Sequence, residues 1–595
     1  MKTINNIFKV LLFSVIGGVT ITSCDLDVVP PADIAAETFW TSEKDAWYNL
    51  NTIYEKIVPG TGAHTDSYSD DVYCQYSWES DGPVYVQNGL SPLYDAGWNF
   101  EGIRATNIFL KEVESCPMDE DLKTRFKAEV RVLRAWDYLK KTLDFGKVPI
   151  ITEVLAYNAE NIPRDEVGKV REFILSELTE AAKDLPENYS GGYPNEKGRI
   201  TKYAALSLKA RAALYFGDYA LAESTAKEVI DNGGYSLFRI SSLSAEQQKE
   251  ADEMDLYVDF DKYGIDKDEF VKGMFSFEAL WFNENGNPNN PEYIMTRQNA
   301  PVGSWDYQDM VRYTSMRPNQ LGGWSSVTPT QNLVDAYWTA DGTSKPQLPT
   351  VEARAEAYKQ IKAELDVYTP PAGRPKFLAF VEEKIANGEI TKYKYIEEFR
   401  NRDSRMYVSI LMPFKGWYES NYGNDYAYEW IKGGNNESKT GFNFRKMLVL
   451  ENDPANYGQA TGDYPCIRYA EILLIYAEAR TQTKGYDTEV QNTLNQLRER
   501  CGMPDVPTSL SKEQAIEFIR NERRIELAGE GFRPYDLTRY DSEYVKKCMN
   551  NVPITMPDGE VVVTMKWDER MRLRPIPGDA IDVNPLLEGD QNPGY

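Results

Sequence analysis

The sequence predicts a mainly α fold, a tetratricopeptide-like helical scaffold carrying long irregular ligand-binding loops and a few short strands. Three observations predict it. Residues 201–231 read as two helices around Gly217-Asp218, and Gly217, Tyr219 and Ala222 have the G-x-Y-x-x-A spacing of a tetratricopeptide turn. Ser511 and Gln514 open another helix with the S-x-x-Q spacing of a capping box. Its apolar residues fall on two faces, Ile516 with Leu527 on one and Phe518 with Ile525 nearly opposite, so it needs a neighbour on each side. Between about 236 and 463, by contrast, periodicity fades, and a stretch of that length without regular structure is usually functional.

In chain order, residues 1–23 have the form of a signal peptide. Lys2 and Lys9 precede an apolar run, Val10–Val19, that is too short to cross a bilayer. Ile21-Thr22-Ser23-Cys24 then reads as a lipobox whose cysteine takes a diacylglycerol, with 24–32 as a tether. Helical pattern is expected at 42–57, 93–113, 119–143 and 164–184, with a short strand at 148–152. The third of these helices places Phe126, Val130, Leu133, Trp136 and Leu139 three or four apart, a core stripe. In the tetratricopeptide-like pair, Ala205, Ala212, Ala222 and Ala226 leave room for close helix contact. Within the middle region only 351–387 is helical in pattern, interrupted by Pro370, Pro371 and Pro375. Helices return at 464–481, 488–500 and from Ser511 to about Ala528, where Gly529 and Gly531 supply the stop. Glu522, Arg523 and Glu526 lie beside the last helix's apolar stripes, where burial demands mutual pairing.

The run RNERRIELAGEGFRPYDLTRY (521–540) resembles the signature of the SusD/RagB family, surface lipoproteins that work with outer-membrane nutrient importers. Segments 323–342, 464–479 and 573–595 are similar to that family in the same order, and Trp98, Ile103 and Asn107 resemble its first scaffold motif. The resemblance implies one SusD-like α-α superhelical domain over 33–595, in which the helical periodicity places the scaffold at about 33–235 and 464–595 and the ligand-binding insertion at about 236–463. It also implies lipidation at Cys24, a SusC-like TonB-dependent transporter as partner, and a place on the outer face of the outer membrane of a Bacteroidetes-type cell.

Composition narrows the chemistry. The net charge is −26, and removal of Lys2 and Lys9 with the leader takes it to about −28, which argues against nucleic acid or an anionic lipid face as partner. Five cysteines remain beside Cys24, namely Cys74, Cys116, Cys466, Cys501 and Cys548, with no C-x-x-C among them. His64 is the one histidine, so a Ser-His-Asp or Cys-His centre or a His-based metal site would have to use it. The expectation is therefore no catalytic residue, no metal and no cofactor. Asp66, Asp70 and Asp71 lack the spacing of a calcium loop and read as a solvated acidic turn. With 92 acidic residues, a carboxylate pair at glycosidase spacing carries no weight.

Aromatic density points to the ligand. Residues 67–100 hold eight aromatics in 34, about double the 12% of the whole chain. A second concentration spans 281–338. A flat ring buries the C–H face of a sugar while amides and guanidinium groups bond its hydroxyl rim. Trp98 and Trp136 go to structure, and Asn107 to a backbone carbonyl. Trp78, Trp305 and Trp324 sit in turn-rich segments and are the candidate platforms, although Trp324 would equally brace its own loop. Tyr85, Tyr307 and Arg312 complete the candidate set. The expected function is capture of a glycan, membrane contact being made through the anchor alone. The alternatives are a lipid-anchored glycosidase and capture of a peptide or other non-glycan nutrient.

Overall fold

The computed structural model describes residues 39–156, 159–189, 196, 198–282, 290–299, 311–418, 426–448 and 462–595. The leader, Cys24 and the tether lie outside them.

The fold is mainly α. Among the described residues, the N-terminal helices of twelve residues or more are α1 (Glu43–Ile57), α2 (Glu101–Glu112), α3 (Glu120–Phe145), α4 (Val167–Ala181), α5 (Lys202–Phe216) and α6 (Tyr219–Asn232). Side chains set several of their starts. Asp119, Thr201 and Asp218 accept from the backbone N–H three residues on, at 3.0–3.1 Å, satisfying donors the first turn would otherwise orphan. Gly217 ends α5 at φ 78°, a left-handed cap that lets α6 fold straight back. The four alanines singled out above are fully buried. Helices α3 to α6 pack in succession, and α6 then packs against α11 (Tyr469–Lys484) near the far end of the chain. The array is thus assembled from both ends.

Among the described residues, the helices of eleven residues or more that precede α11 in the middle region are α7 (Ala245–Tyr257), α8 (Lys267–Ala279), α9 (Val351–Val367) and α10 (Lys376–Ala386). The last two match the proline-interrupted pattern. Helices α7 and α8 do not match the expectation of weak order. The buried side of α7 is Gln247, Glu250, Ala251, Met254 and Tyr257, a helical stripe that includes polar residues and so shows no apolar period. Glu250 is tolerated there because Arg445 and Lys415 both pair with it. A ladder pins the ends of this region together: β2 (Tyr293–Arg297) pairs antiparallel with β4 (Tyr464–Arg468). Residues 464–468 are therefore strand, where helix was expected, and Pro465 fits because a two-stranded ladder leaves edges on which its missing N–H costs nothing. Two other expectations shift. Residues 93–100 are not helical, and the strand at 148–152 is reduced to one bridge, Val148 with Asp165. Asn107 donates to the carbonyls of Ile151 and Glu153, as its backbone-bonding role requires.

After α12 (Thr488–Arg500) come α13 (Lys512–Glu526) and α14 (Arg533–Arg539). Both apolar faces of α13 are covered: Ile516, Phe518, Ile525 and Leu527 are all buried. Glu522, Arg523 and Glu526 are buried as well, but they pair with other elements, not with one another. Glu522 meets Arg405 and Arg498, Arg523 meets Asp536, and Glu526 meets Arg405, Arg468 and Arg500. Arg468 also reaches Glu292 and Glu530, so β4, α12 and α13 share one net of charge. Burial opposes ionisation of Glu526, yet Arg500, Arg468 and Arg405 outweigh it and hold the carboxyl well below its usual range.

Removing one partner from such a net leaves uncompensated charge in the interior. Glu526→Gln should cost roughly 3–5 kcal/mol, read by urea denaturation. The pH dependence follows the depressed carboxyls. Glu478 is opposed by burial, but Arg539 and Arg520 hold it at about 2. Their contribution is present above the unfolded value of about 4.3 and is lost as pH falls toward 2, so acid titration should show stability falling steeply in that window.

Candidate functional site

The candidate site grows from a short ladder. β1 (Val72–Cys74) pairs antiparallel with β3 (Val327–Pro329), Cys74 opposite Val327. The pairing runs one step further, as the N–H of Gln75 donates to the Ser326 carbonyl at 2.8 Å. Beyond that point the two chains part, and each carries a tryptophan within the next few residues. On the β1 side a turn closes through Glu79 N–H to the Tyr76 carbonyl at 3.0 Å. This turn stacks Tyr76 on Trp78, with centroids 5.8 Å apart and planes 18° from parallel. On the β3 side Trp324 meets Trp78 edge-on at 5.7 Å.

Backbone geometry fixes Trp324. Its N–H donates to the Thr314 carbonyl at 2.7 Å, and Gln75 Nε2 donates to the carbonyls of Trp324 and Ser325. Gly323 must be glycine, because a Cβ there would stand 2.2 Å from the Arg317 carbonyl oxygen. Trp78 is 64% exposed, while Tyr76 and Trp324 are half-buried. Three rings therefore present one aromatic surface with Trp78 at its crest. A polar rim lies beside it. The Tyr76 hydroxyl donates to Asn436 Oδ1 at 2.9 Å, and the exposed Gln320 side chain reaches the Glu429 carbonyl.

Beneath the turn, the Glu79 carboxylate accepts from Ser326 Oγ and sits 3.1 Å from His64 Nε2. The whole excursion is riveted to the segment after α13. Gly62 lies against Glu530, where a Cβ would be 2.2 Å from the carbonyl oxygen, and Asp66 accepts the N–H groups of Gly531 and Arg533. Asp70 and Asp71, read above as a solvated turn, are 2% and 1% exposed. They pair with Arg524 of α13 and Arg533 of α14. Burial opposes charge on Asp70, and Arg524 with Arg533 prevails, holding it below the usual range.

The structure brings Trp78 and Trp324 together as candidates and adds Tyr76, which sequence reasoning passed over. Its signal was the two-residue offset from Trp78 across a turn. Two candidates lie elsewhere. Tyr85 is buried in a second apolar cluster with Leu90, Leu537 and Met571, and its hydroxyl donates to the Met571 carbonyl at 2.7 Å. Arg312 is 1% exposed, with its guanidinium donating to the Gly462 carbonyl and near the Tyr464 ring. Neither presents itself to a ligand beside the platform. Trp305 and Tyr307 lie outside the described residues.

Comparison with known proteins settles the family. A SusD family profile matches residues 291–595, just over half of the chain. The chain belongs to the SusD family. A second profile of the group, described as starch-binding and associating with the outer membrane, matches residues 32–214. SusD-like protein P38 of Formosa agariphila is 24% identical over 567 residues, 91% of this chain and 92% of that protein. Among solved structures, a SusD-like protein from Bacteroides fragilis superposes with a TM-score of 0.72 at 24% identity, over 94% of this chain and 98% of its own. A laminarin-binding SusD-like protein superposes at 0.58 with 21% identity, over 93% and 100%. These two structural likenesses establish the fold of this SusD-family member.

Stability should separate platform from core. Trp78→Ala should change unfolding free energy by no more than about 0.5 kcal/mol, as an exposed residue does. Tyr85→Phe leaves the Met571 carbonyl without its donor and should cost about 1–3 kcal/mol by the same denaturant titration.

Proposed function

We propose that this SusD-family chain is a cell-surface lipoprotein that binds a glycan without altering it and delivers it to a SusC-like TonB-dependent transporter. The observation that carries this reading is the exposed surface of Tyr76, Trp78 and Trp324 beside a polar rim. A contiguous exposed apolar patch rimmed by polar groups is the mark of a surface that something covers. A sugar's C–H face suits the rings, and its hydroxyls suit Asn436 and Gln320. Each ring covering about 50 Å² of C–H surface contributes on the order of 1 kcal/mol, which gives capture weak enough to permit release.

The relatives favour the same ligand class, since one solved neighbour is described as binding laminarin. In our reading the helices of 33–235 and 464–595 are the scaffold, while the 67–100 excursion and the 236–463 insertion present the site, Trp305 and Tyr307 included. Cys24 carries the lipid that holds the chain at the outer membrane's exterior. No helix among the described residues is long and apolar enough to cross a membrane. A separate closed β-barrel is the form of pore an outer membrane permits.

Calorimetry of the full chain in detergent against an oligosaccharide panel tests the ligand class. We expect at least one glycan to bind, and Trp78→Ala or Trp324→Ala to weaken it about fivefold or more, the equivalent of one lost ring at about 1 kcal/mol. Binding confined to a peptide panel, or release of reducing ends from a polysaccharide, would overturn the reading.

A further inference from the structure

Directly under the aromatic turn, three side chains of metal-ligating type converge. His64 Nε2, Cys74 Sγ and a Glu79 carboxylate oxygen all lie within 4.8 Å of one another. The imidazole–carboxylate distance is 3.1 Å and the thiol–carboxylate distance 3.8 Å, both to Glu79 Oε2. Zinc bond lengths of about 2.3 Å to sulfur and about 2.0–2.1 Å to nitrogen and oxygen give tetrahedral edges of roughly 3.3–3.6 Å. The two separations to Glu79 bracket that range, and the imidazole–thiol separation lies within 4.8 Å.

We propose that His64, Cys74 and Glu79 form a three-ligand site for a zinc-class divalent transition metal, closing the turn that carries Tyr76 and Trp78. Among the described residues no lysine or arginine pairs with the Glu79 carboxylate. The buried carboxylates of Asp70, Asp71, Glu522 and Glu526 each meet guanidinium groups, whereas the Glu79 side chain, 2% exposed, meets imidazole, thiol and the Ser326 hydroxyl. A divalent ion bound by one thiolate, one carboxylate and one neutral imidazole leaves no net charge to bury. On binding, the thiol proton leaves to solvent as the metal–sulfur bond forms. Without metal, burial chiefly, with the Glu79 charge adding to it, pushes that thiol up to about 12.

The surroundings suit such a site. Ser326 Oγ donates to Glu79 from outside the ligand set, the kind of support that orients a metal-bound carboxylate. His64 belongs to the turn Ala63–Asp66, held by the Asp66 contacts, and Cys74 ends β1, so the donors stand on fixed backbone. The His64 side chain is 29% exposed, which gives an entry path and leaves the fourth position to water. Sulfur with imidazole selects zinc or cobalt over calcium or magnesium. The site stands whether or not the platform's ligand is a glycan.

The test is titration of the chelator-treated full chain in detergent with cobalt(II). We expect one equivalent to give a thiolate-to-cobalt charge-transfer band with tetrahedral d–d absorption, and zinc to displace it. His64→Ala and Glu79→Gln should bind at least about tenfold more weakly. Cys74→Ser should abolish the charge-transfer band. His64 is partly exposed, so its alanine variant should keep the native circular dichroism and remain interpretable if the buried positions do not tolerate change. Saturating zinc should raise the melting temperature of the unsubstituted chain by more than that of His64→Ala. Absence of the band in the unsubstituted chain, or its persistence in Cys74→Ser, would overturn the proposal, as would equal cobalt affinity in His64→Ala.

Discussion

The buried pairing of Arg524 and Arg533 with Asp70 and Asp71 is the constraint on which the rest of this structure depends. The two arginines project from α13 and from the first turn of α14, and the two carboxylates immediately precede β1. Charges taken out of water gain little unless geometry is excellent, so such pairs are poor sources of stability against apolar substitutes. Their consequence is positional. Any placement of residues 62–80 that buried Asp70 and Asp71 away from these arginines would leave them unpaired, at a cost of several kcal/mol per ion. Our account assigns them the role of fixing where β1 begins. From that start the register with β3 follows, and from the register follows the meeting of Trp78 and Trp324.

The same logic runs through the core beneath. Arg405, Arg468, Arg498 and Arg500 converge on Glu522, Glu526, Glu530 and Glu292. Residues from α12, α13, β4 and the loops of the insertion thereby share one interior. The two-ended helical array and the insertion are joined by charge as well as by apolar contact, and the β2–β4 ladder lies at the junction. A rigid base of this kind suits a site built on loops, since loop side chains can hold a fixed arrangement only if the backbone beneath them is over-determined.

The parts of this arrangement that were legible in the sequence are the locally encoded ones. Ser511 with Gln514 announced a helix start because a capping side chain acts within three residues of itself, and the structure shows the same local capping by Asp119, Thr201 and Asp218. Trp78 and Trp324 stood out singly because each lies in turn-rich sequence. Their adjacency did not, since it depends on a ladder between distant segments. Tyr85 misled for the converse reason: aromatic density says nothing of burial, and the carbonyl that takes its hydroxyl belongs to Met571. Asp70 and Asp71 read as solvated because their arginines are remote in the chain. Helix α7 was hidden because its buried stripe contains Gln247 and Glu250, polar residues whose neutralising partners lie far along the chain. His64 was set aside as a solitary histidine, and only the fold places Cys74 and Glu79 beside it.

Hydrogen exchange read by mass spectrometry on an Arg524→Gln variant tests the central claim most directly. The account predicts faster exchange across residues 62–80 and 325–330 while α3 to α6 and α11 keep their protection. Unchanged exchange in the excursion, or equal loosening everywhere, would contradict it.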